Sequence, residues 1–550
     1  MVVTERKVKY TRTLLFSIFI AVFGNSFLYG YSIGDVNNPA GVMRFFYVKV
    51  LWERAGKIPK DWDGSDISLV VAQNGTASTT ALGPVSNSTN TSMSLLEQMK
   101  KYSEEDDFVE LLWSITVSIF VLFGMIGSFM SGKLAERLGR RGGMMAITFI
   151  MMIAAVIGGI PIAAQSFEVI IVHRALVGLH NGLSLSLNAL YLAEISPKKI
   201  RGAVGTCQQL FITVGILTSN ILGVSKVFGT DTLWPGVFIF NAFPAIVCLI
   251  GLPFCPESPR YLLITKGKVE EARTAMKRLT GYSDVEDELD EMKAEASKQK
   301  SVKSFTLKQL LVAPELRLPL IIACALQAGQ QASGINAVMS YSSFMYKNAG
   351  VPPHTVEWVV CGTSLINMLT TIPAVPLMER LGRRPLLIYP MSCMLVSFIV
   401  LTIFHNLQYV DHMESHHNIF AIIGIIAMHT YVMGFALGLG PIPFFVVGEI
   451  FRQEPRSAAM SVSLCFNWVC NFILMLVFRF MQKGLSGYVY LPFCAVLMIT
   501  ITFIVLVVPE TKNRTFDDVA AELSHGFRLL NRKGGLPEKE ENSELKPMTS

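Results

Sequence analysis

The hexapeptide Glu136-Arg-Leu-Gly-Arg-Arg141 occurs a second time, unchanged, as Glu379-Arg-Leu-Gly-Arg-Arg384, 243 residues later. Two further motif pairs follow in the same order, each 253 to 255 residues apart: Glu194-Ile with Arg201-Gly-Ala and Glu449-Ile with Arg456-Ser-Ala, then Pro256-Glu-Ser and Pro509-Glu-Thr. A period of this length, kept by three motifs, indicates that the chain consists of two homologous halves.

The chain is mostly apolar: 51% of its 550 residues are hydrophobic, 16% are charged, and the mean hydropathy is +0.46. Soluble domains carry about 25% charged residues, so a soluble enzyme with a single core is excluded. A helix needs about 20 apolar residues to cross a bilayer. Twelve segments fit, at 14–33, 110–130, 144–164, 168–190, 206–224, 233–254, 315–343, 356–378, 386–405, 418–440, 458–481 and 488–508. The sequence predicts an all-α membrane protein with twelve transmembrane helices in two pseudo-symmetric six-helix halves.

Basic residues are divided unevenly between the two ends of these segments. The turns after segments 2, 4, 8 and 10 carry twelve lysines and arginines and define what we call the basic face. The short turns at the opposite end carry three, Lys226, Lys347 and Lys483. The positive-inside rule therefore predicts that the basic face and both termini are cytoplasmic. We expect the protein to be located in the plasma membrane. The net charge of +6 belongs to this asymmetry and does not indicate a nucleic-acid partner.

The predicted organisation is a cytoplasmic N-terminus (1–13), a first half (14–254), a cytoplasmic linker with short amphipathic helices (255–314), a second half (315–508) and a cytoplasmic tail (509–550). The first half contains an extracellular insert, 37–108, whose side of the membrane we call the insert face. This insert is rich in Ser, Thr, Asn and Gly, so we expect it to be largely disordered. Its sequons predict glycosylation at Asn74, Asn87 and Asn90.

Acidic residues stand among the bases of the basic face, which orientation alone does not require. We interpret both as an ion-pair network that latches this face while the carrier is open on the other side. Its predicted members are Glu136, Arg137, Glu194, Arg201, Glu257, Glu379, Arg380, Glu449, Arg456 and Glu510. The alternative, that the bases only set orientation, stays open. Parallel repeats are typical of carriers that hold the substrate near the midplane between two halves.

Amide side chains are concentrated in several apolar segments. A sugar hydroxyl both donates and accepts hydrogen bonds, and amides do the same. In segment 7, the spacing of Gln327, Gln330, Gln331 and Asn336 places most of them on one helical face. Further amides occur at Gln208, Gln209, Asn367, Asn467 and Asn471. The alternative for any single amide is that it forms a structural hydrogen bond between helices and does not bind a substrate.

These motifs resemble known families. Gly132-Lys-Leu-Ala-Glu-Arg-Leu-Gly-Arg-Arg141 is similar to the loop motif of the major facilitator superfamily, and Pro256-Glu-Ser-Pro-Arg260 and Pro509-Glu-Thr-Lys512 resemble sugar-porter signatures. The chain also resembles the facilitative hexose transporters in three motifs: Gln330-Gln-Ala-Ser-Gly-Ile-Asn336, Gly440-Pro-Ile-Pro443, and Asn467-Trp468 with Asn471. The resemblance implies the major facilitator fold and facilitative hexose transport by alternating access. It implies a small sugar and the lipid bilayer as partners, and no cofactor or metal.

The resemblance also implies a substrate site and its gates. The implied sugar-binding residues are Gln209, Gln330, Gln331, Asn336, Asn367 and Asn471, with apolar contacts from Ile216, Phe444 and Trp468. The implied gating residues are Tyr341, Pro441 and Pro443, since the two prolines interrupt helix 10. Glucose-selective members have an acidic residue before Val-Gly in helix 10, where this chain has Phe435-Ala-Leu-Gly438. They have Gln, Thr and Trp at Leu28, Ile33 and Phe444, so this chain is more similar to the fructose- and urate-type branch.

Proton coupling requires an acid inside the membrane. The proton-coupled porters that this family resembles have Asp directly after the Gly-Tyr of helix 1, where this chain has Ser32. We expect Asp35, near the outer end of that helix, to be a solvated carboxylate, and we therefore favour uniport. Three alternatives stay open: a carrier of urate or another small polar solute, a proton-coupled sugar symporter, and a non-transporting sugar sensor. Walker, nucleophile and metal motifs are not found, so we do not expect an enzyme.

Overall fold

The computed structural model describes residues 10–58, 95–197, 200–301, 307–407, 417–451 and 453–512, together with 514, 519, 522 and 523. Arg201 and Glu379 are described by their backbone alone. The predicted glycosylation sites Asn74, Asn87 and Asn90 lie outside the described residues.

Six spanning helices form the first half. They are α1 (Arg12–Gly34), α2 (Asp107–Leu138), α3 (Arg140–Gly158), α4 (Glu168–Ile195), α5 (Arg201–Leu222) and α6 (Pro235–Phe254). These helices contain long apolar runs, and polar residues lie near their ends. The Asp106 carboxylate, for example, accepts hydrogen bonds from the backbone N–H groups of Phe108 and Val109 and so caps α2.

Six more form the second half. They are α7 (Pro314–Ala332 and Ile335–Asn348), α8 (Pro353–Leu381), α9 (Arg383–Leu407), α10 (His417–Leu437 and Ile442–Ile450), α11 (Gln453–Leu485) and α12 (Leu491–Leu506). Within the described ranges, nine helices satisfy strict criteria of length and apolarity for crossing a membrane. The other three are α5, α7, which is divided in two, and α12, which has 16 residues.

The repeated hexapeptide forms the same turn in both halves. Gly139 separates α2 from α3 with φ +81, and Gly382 separates α8 from α9 with φ +94. A residue with a side chain rarely adopts these angles. The motif therefore specifies an abrupt reversal between two spanning helices, with its arginines at the start of the second helix.

Helix pairs approach closely where both carry small residues. A Cβ atom added to Gly182 of α4 would lie 1.9 Å from the carbonyl oxygen of Gly124 in α2. The two backbones are thus in direct contact, as small residues allow in membrane helices. This contact holds α4 against α2 and places Arg174, two turns into α4, beside the last turn of α1.

The expectation of a largely disordered insert is wrong for its two ends. Residues Ala40–Arg54 and Leu95–Glu105 are helices that share a small apolar core of Val48, Ile58, Met99 and Val109. The rings of Trp52 and Tyr102 pack with centroids 5.6 Å apart. The composition of the whole insert is polar, and it therefore does not indicate the apolar residues that lie at helical spacing near its ends. The residues between them, 59–94, lie outside the described part.

The linker between the halves contains short helices, as predicted around Val269–Lys300. They are Val269–Thr280, Glu286–Ser301 and Leu307–Val312. The Thr11 hydroxyl donates a hydrogen bond to the Leu279 carbonyl at 2.8 Å and accepts one from the backbone N–H of Leu14. One side chain thus caps α1 and fixes the linker to the basic face.

Candidate functional site

Amide side chains of α7 and α11 form a buried hydrogen-bonded network. Gln331 accepts a hydrogen bond from Asn336 at 2.6 Å and donates one to Asn467 at 3.1 Å. Asn467 donates to the side-chain oxygens of Gln327 and Gln330, at 2.8 Å each. Three of the predicted binding residues are therefore brought together. Asn467, which the implied set omitted, is the centre of their network.

Gln330 also stabilises the interruption of α10. Its Nε2 donates to the carbonyl oxygens of Leu439 and Gly440, at 2.6 and 2.9 Å. In a regular helix the Leu439 carbonyl would accept from residue 443, but Pro443 has no N–H. The Gln330 amide thus replaces a hydrogen bond that proline removes, and it connects the amide network directly to the broken helix.

A cavity lies between the halves beside this network. The first half contributes Tyr29, Ile33, Val117, Phe120, Val121 and Arg174 to its wall, and the second contributes Asn336, Ser340, Asn471 and Met475. The side-chain oxygen of Asn471 is buried and has no hydrogen-bond partner among the described residues. Amides, aromatic and aliphatic carbon, and a guanidinium thus surround one small cavity of about 10 Å³, which has room for about one water molecule in this conformation. This set of groups suits a polar solute with an apolar face.

Asp35 is completely buried, so the expectation of a solvated carboxylate is wrong. Its Oδ1 accepts a hydrogen bond from Arg174 Nη1 at 2.8 Å, and Arg174 also donates to the Ser32 carbonyl. The physical reason is that α4 and α1 enclose this position, so no water is needed to balance the carboxylate. The sequence held a signal that we missed: Arg174 lies inside an apolar segment, where a charge requires a partner.

The other implied residues occupy different places. Tyr341 is buried on the second segment of α7, its ring 5.0 Å from that of Phe478. Trp468 crosses the interface, because a Cβ on Gly124 of α2 would lie 2.8 Å from its ring. Of the implied binding residues, Asn336 and Asn471 line the cavity in the described part of the chain, whereas the others do not: Gln209, Ile216, Gln330, Gln331, Asn367, Phe444 and Trp468. Ile216 and Asn367 are buried, Gln209 is half-buried, and Phe444 is 38% exposed.

Hydrogen bonds across the insert face join the two halves. Asn37, just after α1, donates to the Ser342 hydroxyl at 2.7 Å. Asn220 of α5 donates to the Ser364 hydroxyl of α8 at 2.9 Å. The side chains of both asparagines are buried. These contacts close the route from the cavity to this face.

A buried ion cluster closes the same face between α2 and α11. Glu110 accepts hydrogen bonds from Arg479 Nε at 2.7 Å and from Arg44 Nη2 at 2.6 Å. All three side chains are at most 8% exposed. The Arg479 guanidinium also lies 3.7 Å from the ring centroid of Phe344. Because Glu110 and Arg44 belong to the first half and Arg479 to the second, the halves cannot separate here without breaking this cluster.

Acid–base clusters at the basic face repeat in both halves. Arg140 binds Glu194 through two contacts of 2.8 Å, and Arg383 binds Glu449 at 2.7 Å. Glu257 accepts from the backbone N–H groups of residues 140 and 141, and Glu510 does the same for residues 383 and 384. Each carboxylate thus caps the helix that the repeated glycine turn begins. In the described ranges, the ion pairs at this face stay within one half.

The remaining members of the predicted network are arranged differently. Glu136, Arg137 and Arg380 are exposed, and Arg456 donates to the Phe451 carbonyl at 3.1 Å. The side chains of Arg201 and Glu379 lie outside the described residues. The partners found for Glu194 and Glu449 are Arg140 and Arg383, whereas we had not included these two arginines in the network.

The Glu510 cap leads to a prediction with a defined pH dependence. Burial opposes its ionisation, but backbone N–H donors of residues 512, 383, 384 and 511 outweigh burial and hold the pKa of this carboxyl below its ordinary value of 4.5. The cap is therefore complete above pH 4.5 and is lost as the pH falls through the lowered pKa. Glu510→Gln should lower the stability of the purified protein at neutral pH by about 1 kcal/mol. The difference from wild type should close below pH 4.5.

Thermal unfolding in detergent measures this effect. Glu271→Gln is the matched control, because Glu271 forms an exposed ion pair with Lys268 in the linker. An equal loss for both variants at neutral pH, or a Glu510→Gln difference that widens in acid, would contradict the capping role.

The sequence of this chain is similar to those of known transporters. Residues 17–523 match the family model described as sugar (and other) transporter. The chain is 36% identical to the Equus caballus solute carrier family 2, facilitated glucose transporter member 5, over 98% of this chain and 97% of that relative. It is 37% identical to the Mus musculus facilitated glucose transporter member 4, over 96% and 93%. These are transporters, which confirms the prediction that the chain is not an enzyme.

Solved structures show the same fold. The partially occluded, inward-open form of the xylose transporter XylE from E. coli covers 91% of this chain and 99% of its own, with a TM-score of 0.68 at 20% identity. The proton:xylose symporter XylE bound to 6-bromo-6-deoxy-D-glucose covers 93% and 99%, with a TM-score of 0.66 at 22% identity. The predicted major facilitator fold is thereby confirmed.

Proposed function

Because the chain belongs to the sugar (and other) transporter family, we propose that it is a facilitative uniporter that carries a hexose across a membrane by alternating access. The observation that carries this proposal is the buried amide network of α7 and α11, next to a cavity that both halves line. The facilitated transporters named above support the facilitative mode.

The chemistry of the cavity supports a polyhydroxylated solute. Asn336 and Asn471 each offer a donor and an acceptor to a hydroxyl group, and Gln331 orients Asn336 from behind. Phe120 and Ile33 present apolar surface to the C–H faces of a sugar ring. Asn336 and Asn471 are thus our proposed first contacts, and Gln330 and Gln331 support them through the amide network in this conformation. Gln209, Asn367, Ile216, Phe444 and Trp468 would join the site in another conformation of the carrier.

The alternating-access cycle would use the contacts at both faces. The insert-face contacts, with Tyr341 beneath them, form the gate that is closed in this structure. Breaking and straightening α10 at Pro441 and Pro443 would move the second gate, because Gln330 connects that break to the site. The acid–base clusters, including Arg201, Arg456 and Glu379 as proposed members, would latch the basic face in the opposite state.

For orientation, we propose a plasma-membrane carrier with both termini, the linker 255–314 and the tail 509–550 in the cytoplasm. Twelve bases at the basic face against three at the other support this topology. The insert would then be extracellular, with N-glycans at Asn74, Asn87 and Asn90. In this orientation the insert face is the extracellular side. Because that side is closed, the carrier is in an inward-facing state.

Proton-coupled symport is the second candidate, favoured by one observation, the buried carboxylate of Asp35 on α1. The ion pair with Arg174 argues against it. A guanidinium stays charged in proteins, and its 2.8 Å contact with Asp35 stabilises the charged form of this carboxylate. We therefore expect uptake to be flat between about pH 5.5 and 7.5 and insensitive to a protonophore, as uniport requires.

One uptake experiment tests both candidates. Labelled fructose, glucose and urate are offered separately to cells expressing the chain, at two external pH values, with and without a protonophore. Saturable hexose uptake that never exceeds equilibrium supports uniport. Accumulation that collapses with the protonophore would replace uniport by symport. Surface protein without uptake of either hexose would refute hexose transport.

A further inference from the structure

The Asp35–Arg174 ion pair occupies a position where it determines the charge of the cavity. The side chains are 0% and 1% exposed, so neither charge is screened by bulk water. Arg174 forms part of the cavity wall, to which the second half contributes Asn336 and Asn471. Asp35 is not among the described lining residues, so only the basic member of the pair contributes to the wall.

The guanidinium retains unused hydrogen-bonding capacity. Its Nη1 donates to Asp35 and to the Ser32 carbonyl, while its buried Nε has no partner among the described residues. The second carboxylate oxygen of Asp35 is likewise buried and without a partner there. The pair is therefore held by a single contact between the two side chains. Asp35 thus neutralises the charge of Arg174 but does not accept from all of its N–H groups, so Arg174 can still donate to a solute.

The buried ion cluster at the insert face offers no spare acid to this pair. The Glu110 cluster at the insert face contains two arginines and one glutamate. Without Asp35, Arg174 would be an uncompensated guanidinium in the cavity wall. In a buried site such a charge strongly attracts an anion, because the alternative is an unpaired ion in a medium of low polarity.

We propose that Asp35 is a specificity-determining residue: by neutralising Arg174 it keeps the cavity uncharged, so that the carrier accepts neutral polyhydroxyl solutes and excludes organic monoanions such as urate. This inference rests on the proposed function, since it names the solute class of the same cavity. Asp35 need not touch the solute, and its effect is exerted through Arg174.

Uptake of labelled fructose and of labelled urate by Asp35→Asn tests the proposal. The wild type should carry the hexose and exclude urate. Asp35→Asn should raise saturable urate uptake about tenfold or more over wild type, and excess fructose should compete with it. The double variant Asp35→Asn with Arg174→Gln should lose this gain, because the cavity is then neutral again. A merely structural role of Asp35 would lower both uptakes and would not create one for urate.

Controls separate charge from folding. Asp290→Asn makes the same chemical change at an exposed ion pair with Lys293 in the linker and should leave both uptakes unchanged. Surface biotinylation reports the amount of each variant in the membrane. If Asp35→Asn does not reach the surface, Asp35→Ser removes the same charge in a smaller volume.

The outcomes are distinguishable from failure of the proposed function. No hexose uptake by wild type refutes the transport proposal itself. Hexose uptake by wild type with no urate gain in a surface-expressed Asp35 variant refutes the role of Asp35. Urate uptake by wild type, comparable to its hexose uptake, refutes that role without any variant.

Discussion

Replacing Glu110 by glutamine is expected to open the insert face. In the closed state Glu110 is the acid that both Arg44 and Arg479 contact. The amide cannot compensate two buried guanidinium groups, and breaking a buried ion pair from one side costs about 3–5 kcal/mol. Of these two contacts, only the one between Glu110 and Arg479 crosses between the halves, so the cost of leaving Arg479 unpaired applies to the closed state. The population of carriers closed at the insert face should fall by roughly two to four orders of magnitude relative to the open state.

Cysteine accessibility measures this shift. Ser340 lines the cavity beneath the closure and is buried, so Ser340→Cys in a background without the native cysteines is the reporter. An impermeant maleimide applied at the insert face should label this cysteine much faster in Glu110→Gln than with Glu110 intact. Applied at the basic face, the same reagent should label it more slowly.

The matched control is Glu168→Gln. Glu168 and Arg54 also form an ion pair at the insert face, but both belong to the first half and both are about half exposed. Surface ion pairs contribute about 0–1 kcal/mol, so this variant should label like the parent. Equal labelling of the Glu110 variant and the parent from both sides would mean that the cluster does not control opening.

Gln331→Leu is expected to reduce uptake at limiting substrate by about ten- to hundredfold while the protein still reaches the surface. The side chain both accepts from Asn336 and donates to Asn467, and leucine can do neither. Leaving these buried amides unpaired costs about 1–3 kcal/mol. The orientation of Asn336 toward the cavity is lost with them.

Initial uptake rates of labelled hexose, divided by surface protein, give the result. Gln309→Leu is the control, because Gln309 is exposed on a linker helix. Gln331→Asn should retain part of the activity, since it keeps the amide at a shorter reach. Wild-type rates for Gln331→Leu would remove α7 from the proposed site.

Much of the architecture was accessible from the sequence because its causes are local. Apolar runs of spanning length predicted the helices, and the repeated hexapeptide predicted two halves. The structure adds why that peptide recurs: Gly139 and Gly382 each adopt a positive φ between two helices. The amides of α7 were also recognisable, since their spacing along one helix needs no knowledge of other helices.

The ionic contacts between distant helices were not accessible in the same way. Glu110 and Arg479 are separated by 369 residues, and Asp35 and Arg174 by 139. The sequence shows that these charges exist, and their position in apolar segments shows that each needs a partner. It gives no local signal of which partner, because pairing depends on how helices pack. Asp35 was consequently expected in solvent.

Gln330 illustrates the division between sequence and tertiary structure. The sequence by itself determined that α10 must break at Pro441 and Pro443, because proline has no N–H to donate. Only the tertiary structure decided which group would satisfy the freed carbonyl of Leu439, and it is an amide on another helix. A missing donor is a property of one residue. Its replacement depends on which helix lies within about 3 Å, and that distance is set by the packing of the whole bundle.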